Sequence, residues 1–431
     1  MKYNVGILGG GPAGYSAAFE AAERGLSVVL FEKEDIGGTC LNRGCVPTKY
    51  LSHTAELFAG LTKLGKYGIS VSDGKIEPIL MRKTNYEIIL KLRKGLQQKL
   101  EQQKIVIVGS KGKIVDRHHI IAEDKKYDVE NIIIATGART TPPFIEGAIT
   151  TDELLKLDYV PEYLKIIGGG VIAVEFADIY SKLGSHVTMC LRSDRLLRKF
   201  DKEISVSVTQ YLKKHGIQIV ANCSMEQMKT NGNEVILSAI GRTANTQDII
   251  VEEAGLDVSN GIIVDSNGRT NIPGIYAVGD VVKDNVQLAH VAMEQGRRAI
   301  RTICGEMEFE PFAIVNCIYM QPEVAVVGLS EAEARGKGIP VVSGKQVMSA
   351  NARTVIATEE RGFIKIIAQS DSGIVIGAQL MCERASDLIA ELALAINQKL
   401  TVDDLLNSVR PHPSYCEAIT DALWTLKGKL Q

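Results

Sequence analysis

"YNVGILGGGPAGYSAAFEAAERGLSVVLFEK", residues 3–33, decides the fold. The apolar run Val5–Leu8 has the length and content of a buried strand. Gly9, Gly11 and Gly14 follow in the pattern G-x-G-x-x-G, and a helical pattern runs from Ala13 to about Arg24. "LSVVLFE" reads as a second strand, closed by Glu32. Strand, glycine turn, helix and strand with a terminal acid are the parts of a dinucleotide-binding unit. The glycines let the backbone approach a pyrophosphate, and the helix N-terminus offers it partial positive charge. Glu32 is placed to bond a ribose hydroxyl. The other reading of the same stretch is a tight βα turn with no ligand.

The pattern recurs in "YLKIIGGGVIAVEFADIYSKLGSHVTMCLR", residues 163–192, with Gly168, Gly170 and Ala173 at the turn. Between the two units "NIIIATGAR" (131–139) is a strand ending in the small-residue turn Thr136–Gly137. After the second unit, "IPGIYAVGDVV" (272–282) is a strand ending in Gly279–Asp280, and a helical stretch follows it. From about Pro311 the texture changes. "IVNCIYM", "EVAVVGLS", "FIKIIAQ" and "GIVIGAQLM" are β-rich, and "ASDLIAELALAINQKL" and "TVDDLLNSV" are amphipathic helices. The expected fold class is α/β, with two Rossmann-like units and a C-terminal α+β domain.

With 431 residues the chain is long enough for two or three cores. A hydrophobic content of 45% and charged content of 23% are those of a globular protein in water, and the net charge of −2 gives no reason to expect nucleic acid or an anionic membrane as partner. No apolar run reaches membrane-span length. The N-terminus enters a strand at once, leaving no room for a signal peptide, so a cytoplasmic protein is expected. Six of eight cysteines (Cys190, Cys223, Cys304, Cys317, Cys382, Cys416) are scattered and read as small buried side chains.

The other two lie in "GGTCLNRGCVPTK", residues 37–49. Cys40 and Cys45 could be a metal pair, a structural disulfide or a redox centre. A zinc site would need further ligands, and His53 nearby is isolated. No metal is expected. A pair on the first turn of a helix could close a small disulfide, which beside a flavin could exchange two electrons with it. Gly37 and Gly38 before it allow close approach of the backbone to a ligand.

This motif closely resembles that of the class I pyridine nucleotide–disulfide oxidoreductases. "ATGA", "AIGRTANT", "IYAVGDV" and "RPHPSYCE" resemble further signatures of that family in the right order, over essentially the whole chain. The resemblance implies a homodimer that binds FAD and NAD or NADP. It makes Cys40 the interchange thiol and Cys45 the sulfur beside the flavin. Lys49 would lie near the flavin ring and pair with Glu175 of the nicotinamide unit. The FAD contacts implied are Gly9, Gly11, Ala13, Gly14, Glu32 and Lys33 in the first unit, with Gly38 and Thr39 at the redox motif. Gly112, Thr136, Gly137, Gly279, Asp280 and Ala289 complete them. Gly168, Gly170, Ala173 and Gly241 would serve the nicotinamide nucleotide. His412, supplied across the dimer, would act as acid/base on the substrate thiol, oriented by Glu417. An imidazole suits that task near neutral pH. Ser414-x-x-Glu417 also reads as a capping box opening the last helix.

Three features resemble the dihydrolipoyl dehydrogenase branch: Pro12 in "GGGPAG", "QPEVAVVG" (321–328) and "RASDLIAELALAI" (384–396). Lipoamide is neutral and slender, and its channel needs no basic cluster. Two features depart. Where an NAD enzyme places an acid at the end of the second unit's strand, this chain has Leu191 followed by Arg192, with Arg198 beyond. Those arginines resemble the pair that binds an NADP 2′-phosphate; otherwise they are solvated loop charges. The family's β-meander after "GIQIVANC" is reduced to "SMEQMKTNG", about one hairpin short.

The expectation is a dihydrolipoyl dehydrogenase with residues 1–145 and 268–310 binding FAD, 146–267 binding NAD(P) and 311–431 forming the dimer interface. Its partner would be the lipoyl domain of a 2-oxoacid dehydrogenase or glycine cleavage complex. The alternatives are an NADPH-dependent disulfide reductase, and a flavoprotein redox sensor with little turnover.

Overall fold

The computed structural model describes all residues except 1, 73, 230, 231, 248, 250–254, 307–309, 360, 361 and 431. Its first sheet is built on five parallel strands in the order Val106–Val108, Val28–Phe31, Lys2–Leu8, Lys125–Ile134, Ile275–Ala277. All four residues of Val28–Phe31 are buried, as a parallel strand covered on both faces requires. The strand Lys125–Ile134 divides its two ends. Its first half pairs antiparallel with His119–Ala122, and its last three residues pair parallel with Ile275–Ala277. The chain therefore leaves this sheet, builds another, and returns to complete the first.

The helices Pro12–Glu23 and Ala289–Ile303 pack together over one face of this sheet. Their approach is close: a Cβ at Gly296 would lie 2.3 Å from the carbonyl oxygen of Ala13.

The second sheet repeats the plan with four parallel strands, Gln218–Val220, His186–Cys190, Tyr163–Ile167 and Val235–Ser238. In the shortened segment "SMEQMKTNG" that stands where the family has its meander, a short helix, Met225–Met228, crosses between strands, opened by a capping box from Ser224 and Gln227. Met228 seals it onto Cys190, Cys223 and Ile236. Thr230 and Asn231 of the same segment lie outside the described residues. A two-stranded antiparallel link, Ala138–Thr140 with Arg242–Ala244, ties the two units together.

The C-terminal sheet is antiparallel, in the order Val315–Ile318, Glu323–Gly328, Val375–Cys382, Phe363–Gln369, Val341–Val347. The helices Ala385–Asn397 and Glu417–Leu430 bury their apolar faces against it. The expected fold class is thus the observed one. One expectation about the cysteines fails: Cys304, just past the end of a helix, is exposed, while Cys190, Cys223 and Cys382 are buried. Among the described residues no helix is long and apolar enough to cross a membrane.

Candidate active site

Gly9 ends the first strand with φ +103°, and a Cβ there would lie 2.4 Å from the carbonyl oxygen of Ala135. A Cβ at Gly14 would lie 1.9 Å from the oxygen of Gly9, so strand, turn and helix close up only with glycine at both places. Gly11 differs. A Cβ there would meet only Gly38 Cα, at 3.8 Å, so the turn faces the start of the redox motif across a narrow gap. Ala13 is buried and abuts Gly279.

The helix N-termini carry a second signal. Helices starting at Thr151, Met225, Glu331 and Val402 have complete capping boxes. Those starting at Pro12, Val171 and Ala289 have no side-chain cap and no acid in the first turn, a state they share with the helices starting at Gly38, Cys45 and Pro78, and those at Pro12 and Val171 follow a glycine turn. Their free amides suit an anionic group. The second turn copies the first: Gly168 has φ +141°, Gly170 borders open space, and Ala173 is fully buried.

Glu32 extends one carboxylate oxygen to the Gly10 amide at 2.8 Å and the other to the Glu34 amide at 2.8 Å. Its side chain is thereby fixed at the strand end beside the glycine turn. Lys33 is exposed, 3.5 Å from Glu34. Gly112 is buried against Leu8 and Phe31. Thr136 and Gly137 are locked to Asn245: the Thr136 hydroxyl donates to the Asn245 carbonyl at 2.8 Å, and the Asn245 amide donates to Gly137 at 2.8 Å. Gly241 opens the strand that completes this link, at φ +118°.

Asp280 sits in the turn Gly279–Val281. Burial pushes its carboxyl above the usual range, and the Arg242 guanidinium pulls it part of the way back. Arg242 also donates to the Ala138 carbonyl and, at 3.4 Å, to the Thr39 hydroxyl. Gln295 holds the turn from the helix behind, accepting from the Gly279 amide at 2.9 Å.

Cys40 and Cys45 form a disulfide with Cα atoms 4.7 Å apart. The pair was expected on one helical turn. It instead bridges two helices, Gly38–Arg43 and Cys45–Gly60, separated at Gly44. A Cβ at Gly44 would crowd the Thr39 carbonyl at 3.0 Å, so the break between the helices is tight. Asn42, inside the loop, donates to the carbonyls of Gly38 and Ile36 at 2.9 and 3.1 Å, and Arg93 donates to its side-chain oxygen at 2.9 Å. A turn later, Lys49 reaches Glu175 at 2.9 Å and lies 4.2 Å from the centre of the Tyr319 ring.

His412 and Glu417 meet at 2.7 Å through Nδ1 and Oε1. The second carboxylate oxygen accepts the Ser414 amide at 2.9 Å, which with His412 holds the Glu417 carboxyl below its usual range. Only this half of the expected capping box forms. The Ser414 hydroxyl donates to Pro411, and the helix begins at Glu417 itself. The His412 side chain is 74% exposed. Arg192 and Arg198 are both exposed and have no ion-pair partner among the described residues, while Leu191 between strand and loop is buried.

Sequence reasoning missed Arg242, Gln295, Asn42, Arg93 and Tyr319. All but Arg93 lie within stretches it had read, Tyr319 in "IVNCIYM" and Gln295 in the helix after Gly279–Asp280, but none of them was assigned a role.

Comparison with known proteins gives the same picture. Residues 3–296 match the family described as pyridine nucleotide-disulphide oxidoreductase, and residues 314–423 match its dimerisation domain, which supports a homodimer. The chain is 36% identical to a dihydrolipoyl dehydrogenase of Mycoplasma pneumoniae over 452 aligned residues, covering 98% of each. It is 32% identical to one of Bacillus subtilis over 445, covering 96% of this chain and 94% of that one. Among solved structures it superposes on LpdA of Mycobacterium tuberculosis with a TM-score of 0.91 and 26% identity, over 98% of this chain and 99% of that one. The HOCl-induced flavoprotein disulfide reductase RclA of Escherichia coli gives 0.88 and 26%, with the same coverage. Two glycine-turn units bracketing a cysteine-pair disulfide, followed by a dimerisation domain, thus make this chain a member of the pyridine nucleotide-disulphide oxidoreductase family.

Proposed function

We propose that this protein is a dihydrolipoyl dehydrogenase, oxidising dihydrolipoamide at Cys40–Cys45 and reducing NAD⁺ or NADP⁺. The observation that carries this reading is the disulfide's place: on a helix that starts against Gly11 of an uncapped nucleotide turn, one helical turn before the Lys49–Glu175 pair. The open turn, the fixed Glu32 and the free helix amides fit FAD. Gly9, Gly11, Gly14 and the amides at Ala13 and Ala289 would hold its pyrophosphate and Asp280 its ribitol. Bound there, FAD supplies two-electron transfer between a dithiol and a nicotinamide.

The residues do the rest. Cys40 meets the substrate thiolate and forms the mixed disulfide, releasing Cys45 as a thiolate held against the cofactor. His412 of the second protomer takes the substrate proton, with Glu417 fixing its ring through Nδ1 so that Nε2 faces the thiol. The slender, neutral substrate agrees with the relatives' names and with a motif that carries one arginine, Arg43, already paired to Glu34.

In this reading residues 1–145 with 268–310 bind FAD, 146–267 bind the nicotinamide nucleotide and 311–431 form the dimer. The partner is a lipoyl domain of a 2-oxoacid dehydrogenase or glycine cleavage complex. The test is initial rates at 340 nm with dihydrolipoamide and each nucleotide. Reduction of neither would overturn the reading. A second reading, an NADPH-dependent disulfide reductase, is favoured by the exposed Arg192 and Arg198, which have no ion-pair partner among the described residues; it predicts NADPH oxidation by a low-molecular-weight disulfide in the same assay.

A further inference from the structure

The loop that carries His412 is held from two sides by one short helix, Ala352–Ile356. Asn351, the N-cap of that helix, accepts the Thr354 amide through Oδ1 at 3.1 Å. Its amide nitrogen, facing the other way, donates to the Ser414 carbonyl at 2.9 Å. Three residues past the helix end, Glu359 accepts the Tyr415 hydroxyl at 2.5 Å. Asn351 is 3% exposed and both halves of its side chain are used. The platform is itself braced: the Tyr67 hydroxyl lies 3.0 Å from the Thr358 hydroxyl, on the turn that continues the helix begun by Cys45. His412 needs such support, because its ring projects into solvent and its one partner, Glu417, belongs to the same segment.

We propose that Tyr415 and Asn351 are positioning residues: they clamp the 412–416 loop so that the His412 ring stands ready for the thiol chemistry of a second copy. The proposal rests on the dehydrogenase reading for its chemistry, but the clamp itself does not. Neither residue touches the reacting sulfurs. Each acts by fixing backbone next to His412, where a displacement of about 1 Å lowers a proton-transfer rate by up to roughly a hundredfold.

The test uses the FAD-loaded full chain. Tyr415→Phe keeps the ring and removes the donor. Asn351→Asp keeps the capping oxygen and removes the donor to Ser414. Glu359→Gln keeps an acceptor for Tyr415. Hydrogen exchange of the 410–417 peptide is read first, and should quicken roughly tenfold in Tyr415→Phe and Asn351→Asp, the effect of losing one strong hydrogen bond. Dihydrolipoamide turnover should fall about tenfold or more with an altered pH profile. Direct reduction of ferricyanide by the reduced nucleotide, which bypasses the thiols, should hold. Glu359→Gln should sit nearer the parent than Tyr415→Phe does. Unchanged exchange in Tyr415→Phe, or a Glu359→Gln as impaired as Tyr415→Phe, would overturn the clamp. A parent protein inert toward dihydrolipoamide would remove the dehydrogenase reading alone, with the exchange data still deciding for or against the clamp.

Discussion

Glu175 grips Lys49 across 126 residues of sequence, 2.9 Å from carboxylate to ammonium, while its other oxygen accepts the Tyr319 amide at 2.9 Å. One carboxylate thus joins the redox helix, the second nucleotide unit and the C-terminal sheet. Glu175 is 5% exposed, so removing it strands both donors. Glu175→Ala should cost roughly 2 kcal/mol and lower Tm by several degrees. Glu175→Gln keeps an acceptor for Tyr319 but removes the negative charge that faces the Lys49 ammonium. It should lose less stability than the alanine variant while nucleotide reduction still falls. Thermal melts beside steady-state rates separate the two effects. Equal melts for both variants would mean that the Tyr319 bond contributes nothing.

Cys45→Ser should abolish dihydrolipoamide oxidation and leave direct reduction of ferricyanide by NADH or NADPH in place. The serine hydroxyl cannot be the leaving group of a thiol exchange, whereas hydride transfer between nucleotide and flavin needs neither cysteine. Dithiol turnover surviving in Cys45→Ser would remove the disulfide from the reaction.

These two sites differ in how they could be read. Gly14 was legible because its constraint is local: a side chain there strikes the carbonyl of Gly9 in the same strand–turn–helix. Cys40 and Cys45 likewise lie in one short motif, whereas Gly9 and Gly168 were legible only by their spacing, since side chains there would strike Ala135 and Ala239 on the adjoining chain segments. The Lys49–Glu175 pair was reached only through a family resemblance, and Tyr319 was not reached at all. Its amide matters because the C-terminal sheet docks there, and no spacing within "IVNCIYM" encodes that docking. Arg93 and Gln295 were lost for the same reason, each serving a distant loop from a helix that reads as ordinary. The helix Met225–Met228 was missed because its four residues are too few for a periodic pattern, although Ser224 and Gln227 spell its cap.

Glu383 sets a pH dependence outside the active site. Burial, then the neighbouring carboxylates of Glu359, Glu56 and Glu323, push its carboxyl up to about 8, with Lys182 opposing weakly. One of its oxygens, Oε1, is buried without a hydrogen-bond partner among the described residues. A carboxyl whose folded pKa is raised favours folding fully below its unfolded value, near 4, and loses that contribution as pH climbs through 8. Glu383→Gln cannot ionise. Its stability should match the parent's near pH 5 and exceed it by a margin that grows up to about pH 8 and then levels off, on the order of 1–3 kcal/mol, read as a higher Tm. A parallel pair of melting curves from pH 5 to 9 would show instead that Glu383 ionises freely.

The Arg192 variant tests the choice of nucleotide. It follows buried Leu191 at the strand end, where an acid would otherwise bind a ribose 2′-hydroxyl, and its guanidinium is exposed with no ion-pair partner among the described residues. An NADP 2′-phosphate would give it a charge-assisted, two-pronged partner worth about 1.5–3 kcal/mol. Arg192→Ala should then lower kcat/KM for NADP⁺ by roughly 10- to 150-fold and leave NAD⁺ nearly untouched. Arg198→Ala should act in the same direction, and the two effects should not add fully if both arginines hold one phosphate. Measuring both nucleotides with each variant reads the preference directly. Equal, small changes with either cofactor would make these arginines solvated loop charges, and the missing acid would then cost NAD⁺ affinity without adding any for NADP⁺.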